Sequence, residues 1–322
     1  MPQETQNDKV LLLDTNHPLL EESLRNAGFR CDYFSELSLD KLKDIIKDYS
    51  GIIVRSRFQL NKELLSLAEK LSFIGRVGAG MEGIDVDYAT RAGIKCFNAP
   101  EGNRNAVGEH AIGMLLALMN KMIRADDEVR NGIWKREENR GFELGGKTVG
   151  LIGYGNTGGA FARKLPGFDC SVLAYDKYKS GFSDEYVKEA GMDEIFSRSD
   201  VLSLHVPLTE ETHYLVNTEY LQKFQNDIWL INTSRGKVVN TAELLNALDS
   251  GKILGAALDV LEYESLSFEG LQNDELPEPY RALAASDKVI LSPHVAGWTF
   301  ESKVKLAETI VGKILLEFKP PK

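Results

Sequence analysis

From Lys9 onward, short runs of apolar, often β-branched residues alternate with stretches whose apolar positions return every three or four residues. "KVLLLD", "CDYF", "GIIVRS", "LSFIGRV" and "IKCFN" read as strands, with helices near 18 to 27, 38 to 48, 61 to 69 and 85 to 92 between them. Strand–helix alternation with short connections predicts a parallel sheet covered on both faces. A long helical stretch follows, roughly "NAVGEHAIGMLLALMNKMIRADDEVRNG". Its apolar residues fill too much of the circumference for a surface helix, which predicts packing between domains or subunits. The alternation then restarts with "KTVGLIG", "SVLAYD", "VLSLHV", "IWLINTS", "GAALDVL" and "VILSPH", helices between them, one at 241 to 250 and a last at about 300 to 317. This is a second doubly wound unit, and 262 to 279, rich in Glu, Ser and Pro, is its one long loop.

Two strand–helix junctions carry the spacing G-x-G-x-x-G: "GAGMEG" at 78 to 83 and "GYGNTG" at 153 to 158. In a dinucleotide site, an acid at the end of the next strand accepts hydrogen bonds from the adenosine ribose. After "GYGNTG" the next strand ends in Asp176, 18 residues beyond Gly158. After "GAGMEG" the next strand ends in Asn98, with no acid. The second loop is therefore the predicted cofactor site, and Asp176 favours NAD over NADP because a carboxylate repels a 2′-phosphate. The first loop, at the carboxyl end of a parallel strand, exposes backbone N–H groups suited to a small anion.

The length of 322 residues fits two domains with separate cores, and 43% apolar with 27% charged residues is the balance of a soluble globular protein. A net charge of −10 disfavours nucleic acid and anionic membrane as partners, so any anionic ligand needs a local basic cluster. Cys31, Cys96 and Cys170 lack metal or disulfide spacing, and no resident metal is expected. The polar start "MPQETQNDKV" and the lack of a membrane-length apolar run predict a cytoplasmic protein.

Hydride transfer from a secondary alcohol needs a base for the hydroxyl proton and a cation to fix the oxygens. Arg235, in "NTSRGK" after a strand, has a planar fork suited to a carboxylate, and the flanking Gly236 allows a sharp turn. Of five histidines, His294 ends "VILSPH" at a strand tip; His205, in "LSLHVPL", lies near another and lines the cofactor wall. A catalytic imidazole needs a carboxylate to orient it, and "LDVLEYES" offers Asp259, Glu262 and Glu264. Sequence leaves the choice open.

Through "IVRSR", "GRVGAGMEGIDVDYATRAGI", "FNAPEGNRNAVGEH", "GLIGYGNTG", "LHVPLTEETHYLVN", "INTSRG", "GAALDVLEYE" and "SPHVAGWT", the chain resembles the D-isomer-specific 2-hydroxyacid dehydrogenases from about residue 9 to 317. The resemblance implies an α/β architecture of two doubly wound, Rossmann-like domains with a cleft between them. A substrate-binding, flavodoxin-like domain would come from 1–102 and 295–322, and an NAD-binding domain from 103–294. Arg235 would bind the substrate carboxylate and carbonyl, His294 would exchange the proton, and Glu264 would pair with it. Cofactor contacts are implied at Gly153, Tyr154, Gly155, Asn156, Thr157, Gly158, Asp176, His205, Val206, Pro207, Thr212, Thr233, Ser234, Asp259, His294 and Gly297, with Asp259 on the nicotinamide carboxamide. The backbone at Val77, Gly78 and Ala79 would receive the substrate carboxylate. The helix and arm at 105 to 145 would make a homodimer.

Arg55, Ser56, Arg57, Arg76, Asn103 and Arg104 place basic and polar groups in an acidic chain where a phosphate site is chemically plausible. These positions resemble phosphate contacts within the family, and that resemblance implies oxidation of D-3-phosphoglycerate to 3-phosphohydroxypyruvate. Two residues depart from the family pattern. Ser265 stands where a proline usually follows the catalytic Glu, which weighs toward Glu262. Trp298 replaces a small residue and would reshape the pocket beside His294. No C-terminal regulatory domain is expected. Alternative readings are a reductase of unphosphorylated glyoxylate or hydroxypyruvate, and an NAD-sensing binding protein on the same fold.

Overall fold

The computed structural model describes residues 8–34, 36–264, 271 and 276–318. Ser265, most of the loop at 262 to 279 and the first seven residues lie outside them. Of the described residues, those up to 103 and from 298 onward form one compact unit, and those from 104 to 297 form another.

The first unit holds a five-stranded sheet of β1 (Lys9–Leu12), β2 (Arg30–Tyr33), β3 (Gly51–Val54), β4 (Phe73–Arg76) and β5 (Lys95–Asn98), in the order β2-β1-β3-β4-β5 with all pairs parallel. The period-two side-chain direction of a strand explains its two cores. Val10 and Leu12 face a cluster with Leu20, Leu24 and, from the helix Phe300–Glu317, Leu306, Ile310 and Ile314. Leu11 and Leu13 face the opposite cluster with Leu42, Ile46, Leu64 and Ile94. The helix Phe300–Glu317 starts with a capping box in which Thr299 and Ser302 each accept the other's backbone N–H, satisfying two otherwise unpaired donors.

The second unit holds a seven-stranded parallel sheet: β6 (Thr148–Ile152), β7 (Ser171–Tyr175), β8 (Lys188–Glu189), β9 (Val201–Leu204), β10 (Ile228–Asn232), β11 (Ile253–Leu258) and β12 (Val289–Leu291). Its order is β12-β11-β10-β9-β6-β7-β8, so the direction of winding reverses between β9 and β6, the crevice where such sheets bind ligands. Both faces are again buried: Leu202, Leu230 and Leu258 face one cluster, Val201, Ile231 and Ala257 the other.

Three expectations about elements change. The long helix is two, Pro100–Met119 and Met122–Arg130, because Lys121 adopts a left-handed φ of 53° and the Met119 carbonyl accepts from Phe142 N–H. The first of the two lays Ala111, Met114, Leu115 and Leu118 on the second unit's sheet. The two-residue strand β8, too short to carry a period, extends the sheet edge. A helix not expected from the sequence, Glu278–Ala285, begins at the end of the stretch read as irregular; it opens on Pro277 and Glu278, both suited to a helix start, and buries Leu283.

Candidate active site

Because every strand of the second sheet is parallel, its carboxyl ends share one edge. Along that edge in spatial order stand His294 after β12, Asp259 and Glu264 after β11, Arg235 after β10, His205 after β9, the "GYGNTG" loop after β6 and Asp176 after β7.

The glycine loop fits a dinucleotide pyrophosphate. At Gly153 (φ +94°) an added Cβ would fall 2.5 Å from the His205 carbonyl oxygen, and at Gly158 2.3 Å from that of Gly153. Around Gly155 nothing lies within 4 Å of that position. The outer two glycines let turn, strand and helix close on one another, while the middle one leaves the open space a phosphate needs beside bare backbone. Asp176 is held at this loop by N–H groups of Tyr154 (2.9 Å) and Tyr178 (3.0 Å). The neighbouring cation Lys177 is engaged by the Glu211 carboxylate. Lys177 is thus turned to Glu211, while Lys179 Nζ donates to the Tyr154 carbonyl on the same loop (2.8 Å).

Several residues expected at the cofactor also have protein partners. The Tyr154 ring stacks on Phe182 and its hydroxyl donates to Asp184 (2.9 Å). Asn156 Oδ1 accepts from Arg104 (3.2 Å), which ties Arg104 to the glycine loop rather than to a substrate. Thr212 Oγ1 donates to the Pro207 carbonyl (2.6 Å), closing the loop that carries Val206 and Pro207. Thr233 Oγ1, by contrast, is buried without a partner among the described residues, as expected of a hydroxyl that a ligand's polar group satisfies. His205 bonds Ser203 Oγ (2.9 Å) through Nε2, lies 3.3 Å from Thr157 Oγ1 through Nδ1, and packs on Phe161. Burial pushes its pKa down to about 3, so it stays neutral.

One histidine is paired with a carboxylate. His294 Nδ1 lies 2.7 Å from Glu264 Oε2, and Glu264 Oε1 accepts from Leu261 N–H. Glu262, the competing candidate, is spent on Thr241 N–H (3.0 Å) at the start of the helix Thr241–Ser250. Asp259 is enclosed by protein donors. Its side chain is 1% exposed, with Oδ1 accepting from Ser292 Oγ (2.5 Å) and Val295 N–H (2.9 Å) and Oδ2 from Ala296 N–H (2.8 Å). A carboxylate so enclosed holds the turn that carries His294. Burial disfavours its charge, but hydrogen bonds from His110, Ser292, Ala296 and Val295 outweigh this and keep its pKa below the ordinary carboxylate value. His294 itself adopts φ 55°, a costly conformation for a non-glycine residue, and its N–H donates to the Asp259 carbonyl (2.8 Å). Sequence does not announce His110 and Ser292 as members of this network, since nothing in a helical "EH" or a strand-end Ser signals it.

Arg235 sits on a turn fixed by buried Asn232, whose side chain donates to the Arg235 carbonyl (2.9 Å) and accepts from Ser234 N–H (3.0 Å) and Oγ (2.7 Å). The need for Gly236 is closeness, not a left-handed turn: its Cβ would fall 2.0 Å from the Leu261 carbonyl carbon and oxygen. That contact brings the arginine's turn against the segment whose Leu261 N–H holds Glu264.

In the first unit, the loop after β4 is only partly as expected. Val77 N–H donates to Val54 (2.9 Å) and Gly78 N–H to Arg76 (2.9 Å), so among these three amides only Ala79's is not already engaged in a backbone bond among the described residues. The Arg76 guanidinium lies over the loop, 1.3 Å from where a Gly78 Cβ would be. Arg57 is a correction: it donates to the carbonyls of Leu13 (3.4 Å), Phe34 (3.2 Å) and Leu37 (2.9 Å), stitching loops together. Asp14 accepts from the backbone N–H of Arg55 (2.5 Å) and Arg57 (3.2 Å), which shapes the segment containing Ser56. Asn103 Oδ1 is buried and has no hydrogen-bond partner among the described residues.

The second unit thus builds a glycine-loop fold suited to a nucleotide, with a His–carboxylate pair and an arginine on the same sheet edge. The family follows from comparison: the description "D-isomer specific 2-hydroxyacid dehydrogenase, NAD binding domain" matches residues 112–296, and the chain belongs to that family, with NAD as cofactor. It is 35% identical to D-3-phosphoglycerate dehydrogenase of Archaeoglobus fulgidus over 95% of this chain and 56% of that one. It thus spans little more than half the length of that relative. To hydroxypyruvate reductase of Thermotoga maritima it is 34% identical over 87% of this chain and 89% of that one. Among solved structures it resembles D-lactate dehydrogenase of Aquifex aeolicus, solved with NAD and lactic acid: TM-score 0.81, 31% identity, 96% and 95% coverage. Among the described residues no helix is long and apolar enough to cross a membrane, and no three metal-ligating side chains gather.

Proposed function

We propose that the protein is an NAD-dependent D-2-hydroxyacid dehydrogenase whose substrate is D-3-phosphoglycerate, oxidised to 3-phosphohydroxypyruvate. The observation that carries the chemistry is the 2.7 Å contact between His294 Nδ1 and Glu264. With Glu264 on Nδ1, the hydrogen of neutral imidazole resides there and Nε2 keeps its lone pair. Nε2 takes the hydroxyl proton as the C2 hydrogen leaves with its electron pair, and Glu264 stabilises the imidazolium that results. Arg235 holds the substrate carboxylate and polarises the reacting oxygen. Bound along the glycine loop with its ribose on Asp176, NAD supplies the hydride acceptor.

The phosphorylated substrate is supported by the basic residues of the first unit and by the likeness to the Archaeoglobus fulgidus enzyme. A second reading, reduction of unphosphorylated hydroxypyruvate or glyoxylate, is supported by the nearly full-length match to the Thermotoga maritima reductase. A panel of 2-hydroxy and 2-keto acids, followed by NADH absorbance, tests both. Higher kcat/KM for 3-phosphohydroxypyruvate than for hydroxypyruvate is expected. Preference for the unphosphorylated acid overturns the substrate, and no turnover of any member by folded protein favours an NAD-binding role without catalysis.

A further inference from the structure

Within the second unit, the helix Pro100–Met119 meets the turn of His294 at Ser292, through His110 and, one helical turn on, Met114. His110 Nε2 lies 3.0 Å from Ser292 Oγ and 3.5 Å from Asp259 Oδ1. We propose that His110 is a positioning residue for the proton and hydride transfer: through Ser292 it fixes the Asp259 carboxylate, and through that carboxylate the turn that aims His294. The inference rests on the reading of His294 as the proton acceptor and adds to it a residue that acts through two others.

The direction of each hydrogen bond follows from counting hydrogens. Ser292 has one hydroxyl hydrogen and three polar neighbours: Asp259 Oδ1 at 2.5 Å, His110 Nε2 at 3.0 Å and Met114 Sδ at 3.7 Å. The ionised Asp259 carboxylate can only accept and lies nearest, so it takes that hydrogen. Ser292 Oγ must then accept from His110, which puts a hydrogen on Nε2, leaning also toward Asp259 Oδ1. A charged imidazole carries a hydrogen there too, so the link survives in either state of the ring. The chain runs one way, from His110 to Ser292 to Asp259, and each donation strengthens the next.

The chain ends on the backbone beside the acid–base residue. Asp259 Oδ1 also accepts from Val295 N–H (2.9 Å) and Oδ2 from Ala296 N–H (2.8 Å), the two residues that follow His294. His294 is held at φ 55°, where a non-glycine residue stays only if its surroundings over-determine it. Rotation of the carboxylate about its Cβ–Cγ bond would exchange these acceptors and release the turn. The Ser292 hydroxyl, oriented by His110, opposes that rotation because it bonds one oxygen alone. Apolar side chains in this place would avoid the cost of burying an ionised carboxylate, but apolar packing has no direction. Direction is what the turn needs, since a tilt would carry the His294 ring off Glu264, 2.7 Å away, and with it the lone pair that takes the proton.

The test compares wild type with His110→Leu, which fills the space without a donor, and His110→Gln, whose amide nitrogen reaches the place of Nε2, with folding checked by circular dichroism. Positioning lowers kcat about tenfold in His110→Leu, while KM for the acid and Kd for NADH, read by fluorescence titration, stay within about twofold; His110→Gln regains most of the kcat. A kcat in His110→Leu within about twofold of wild type, a loss that His110→Gln does not reduce, or one matched by an equal loss of NADH affinity overturns the proposal. Should His110→Leu fail to fold, the imidazole nitrogen shifts of wild type decide, assigned with His110→Gln and His294→Asn at about pH 9, where imidazole is neutral. His110 with its hydrogen on Nε2 supports the chain, and the hydrogen on Nδ1 overturns it. If wild type turns over no acid, or His294→Asn keeps its kcat, the acid–base reading fails by itself. The positioning role is then judged on the His294 ring alone: nitrogen resonances displaced in His110→Leu and returned in His110→Gln support it, and any other pattern overturns it.

Discussion

Glu264 reaches His294 from the segment after β11, while the competing Glu262 caps the helix Thr241–Ser250; one acid serves the imidazole and the other serves the fold. The two are therefore separable by mutation. His294→Asn is expected to lower kcat by about 10² or more, the usual share of a positioned acid–base group, with little change in NAD affinity. Glu264→Gln should lower kcat less, since an amide oxygen still orients Nδ1–H but does not stabilise imidazolium. Glu262→Gln should show its effect in thermal stability instead. Steady-state kinetics and melting curves on the three variants check the assignment, and a kcat loss in Glu262→Gln exceeding that of Glu264→Gln would reverse it.

Asp176 and Lys177 are adjacent with opposite charge, yet only the aspartate addresses the glycine loop, because Glu211 engages the lysine. Asp176→Ser is expected to raise KM for NAD about tenfold, the loss of a carboxylate contact to the ribose. Adding Glu211→Gln releases Lys177 toward a 2′-phosphate and should shift the NADP/NAD ratio further. Ratios unchanged in both variants would remove Asp176 from cofactor choice.

His205 makes stability depend on pH. Its folded pKa, about 3, lies below its unfolded value near 6.5, so the unfolded chain binds more protons between them. Its contribution to stability is present above about pH 6.5 and is lost progressively as pH falls toward the folded value, at about 1.4 kcal/mol per unit. Between pH 7 and 5 the loss from this group is about 2 kcal/mol. Denaturant titrations of wild type and His205→Gln at both pH values should show the variant losing less by that amount, and equal losses would count against a neutral, buried ring.

Much of this site is legible in the sequence because it depends on local order. The glycine spacing, the strand-end Asp176 and the strand-tip His294 each follow from residues close together in the chain. What stays hidden depends on distant partners. Asp259 and Glu264 are both acids after one strand, and only the turn at 292–296, packed against them from β12, sends the first to three protein donors and the second to the histidine. Arg57 looks like its neighbour Arg55 until the carbonyls of Leu13, Phe34 and Leu37 are seen to claim it. The break at Lys121 has no Gly or Pro to announce it; the returning arm at Phe142 takes the carbonyl that the helix would have used.

Gly236 couples the arginine to the acid–base pair through contact alone. A methyl group there would fall 2.0 Å from the Leu261 carbonyl, so Gly236→Ala must move one backbone segment or the other. Overpacking of this kind costs about 1–3 kcal/mol. Leu261 N–H holds Glu264, so the shift should also raise substrate KM through Arg235 and lower kcat through His294. A variant with normal kinetics and only lowered stability would show that the two turns move independently.

The helix Met122–Arg130 has no fully buried residue, and Met122, Ile123, Val129, Ile133, Trp134 and Phe142 are large apolar side chains left exposed in this stretch, Trp134 by 77%. Scattered apolar residues need no partner, but six in 21 positions of an otherwise acidic chain form the kind of surface that monomers seldom keep. A second copy of the chain is the expected cover, made through this helix and arm. Light scattering after gel filtration should give twice the chain mass for wild type, and Ile123→Asp combined with Trp134→Asp should give the monomer with its melting transition still cooperative. A wild-type monomer at micromolar concentration would count against a homodimer and leave the exposed indole for another partner.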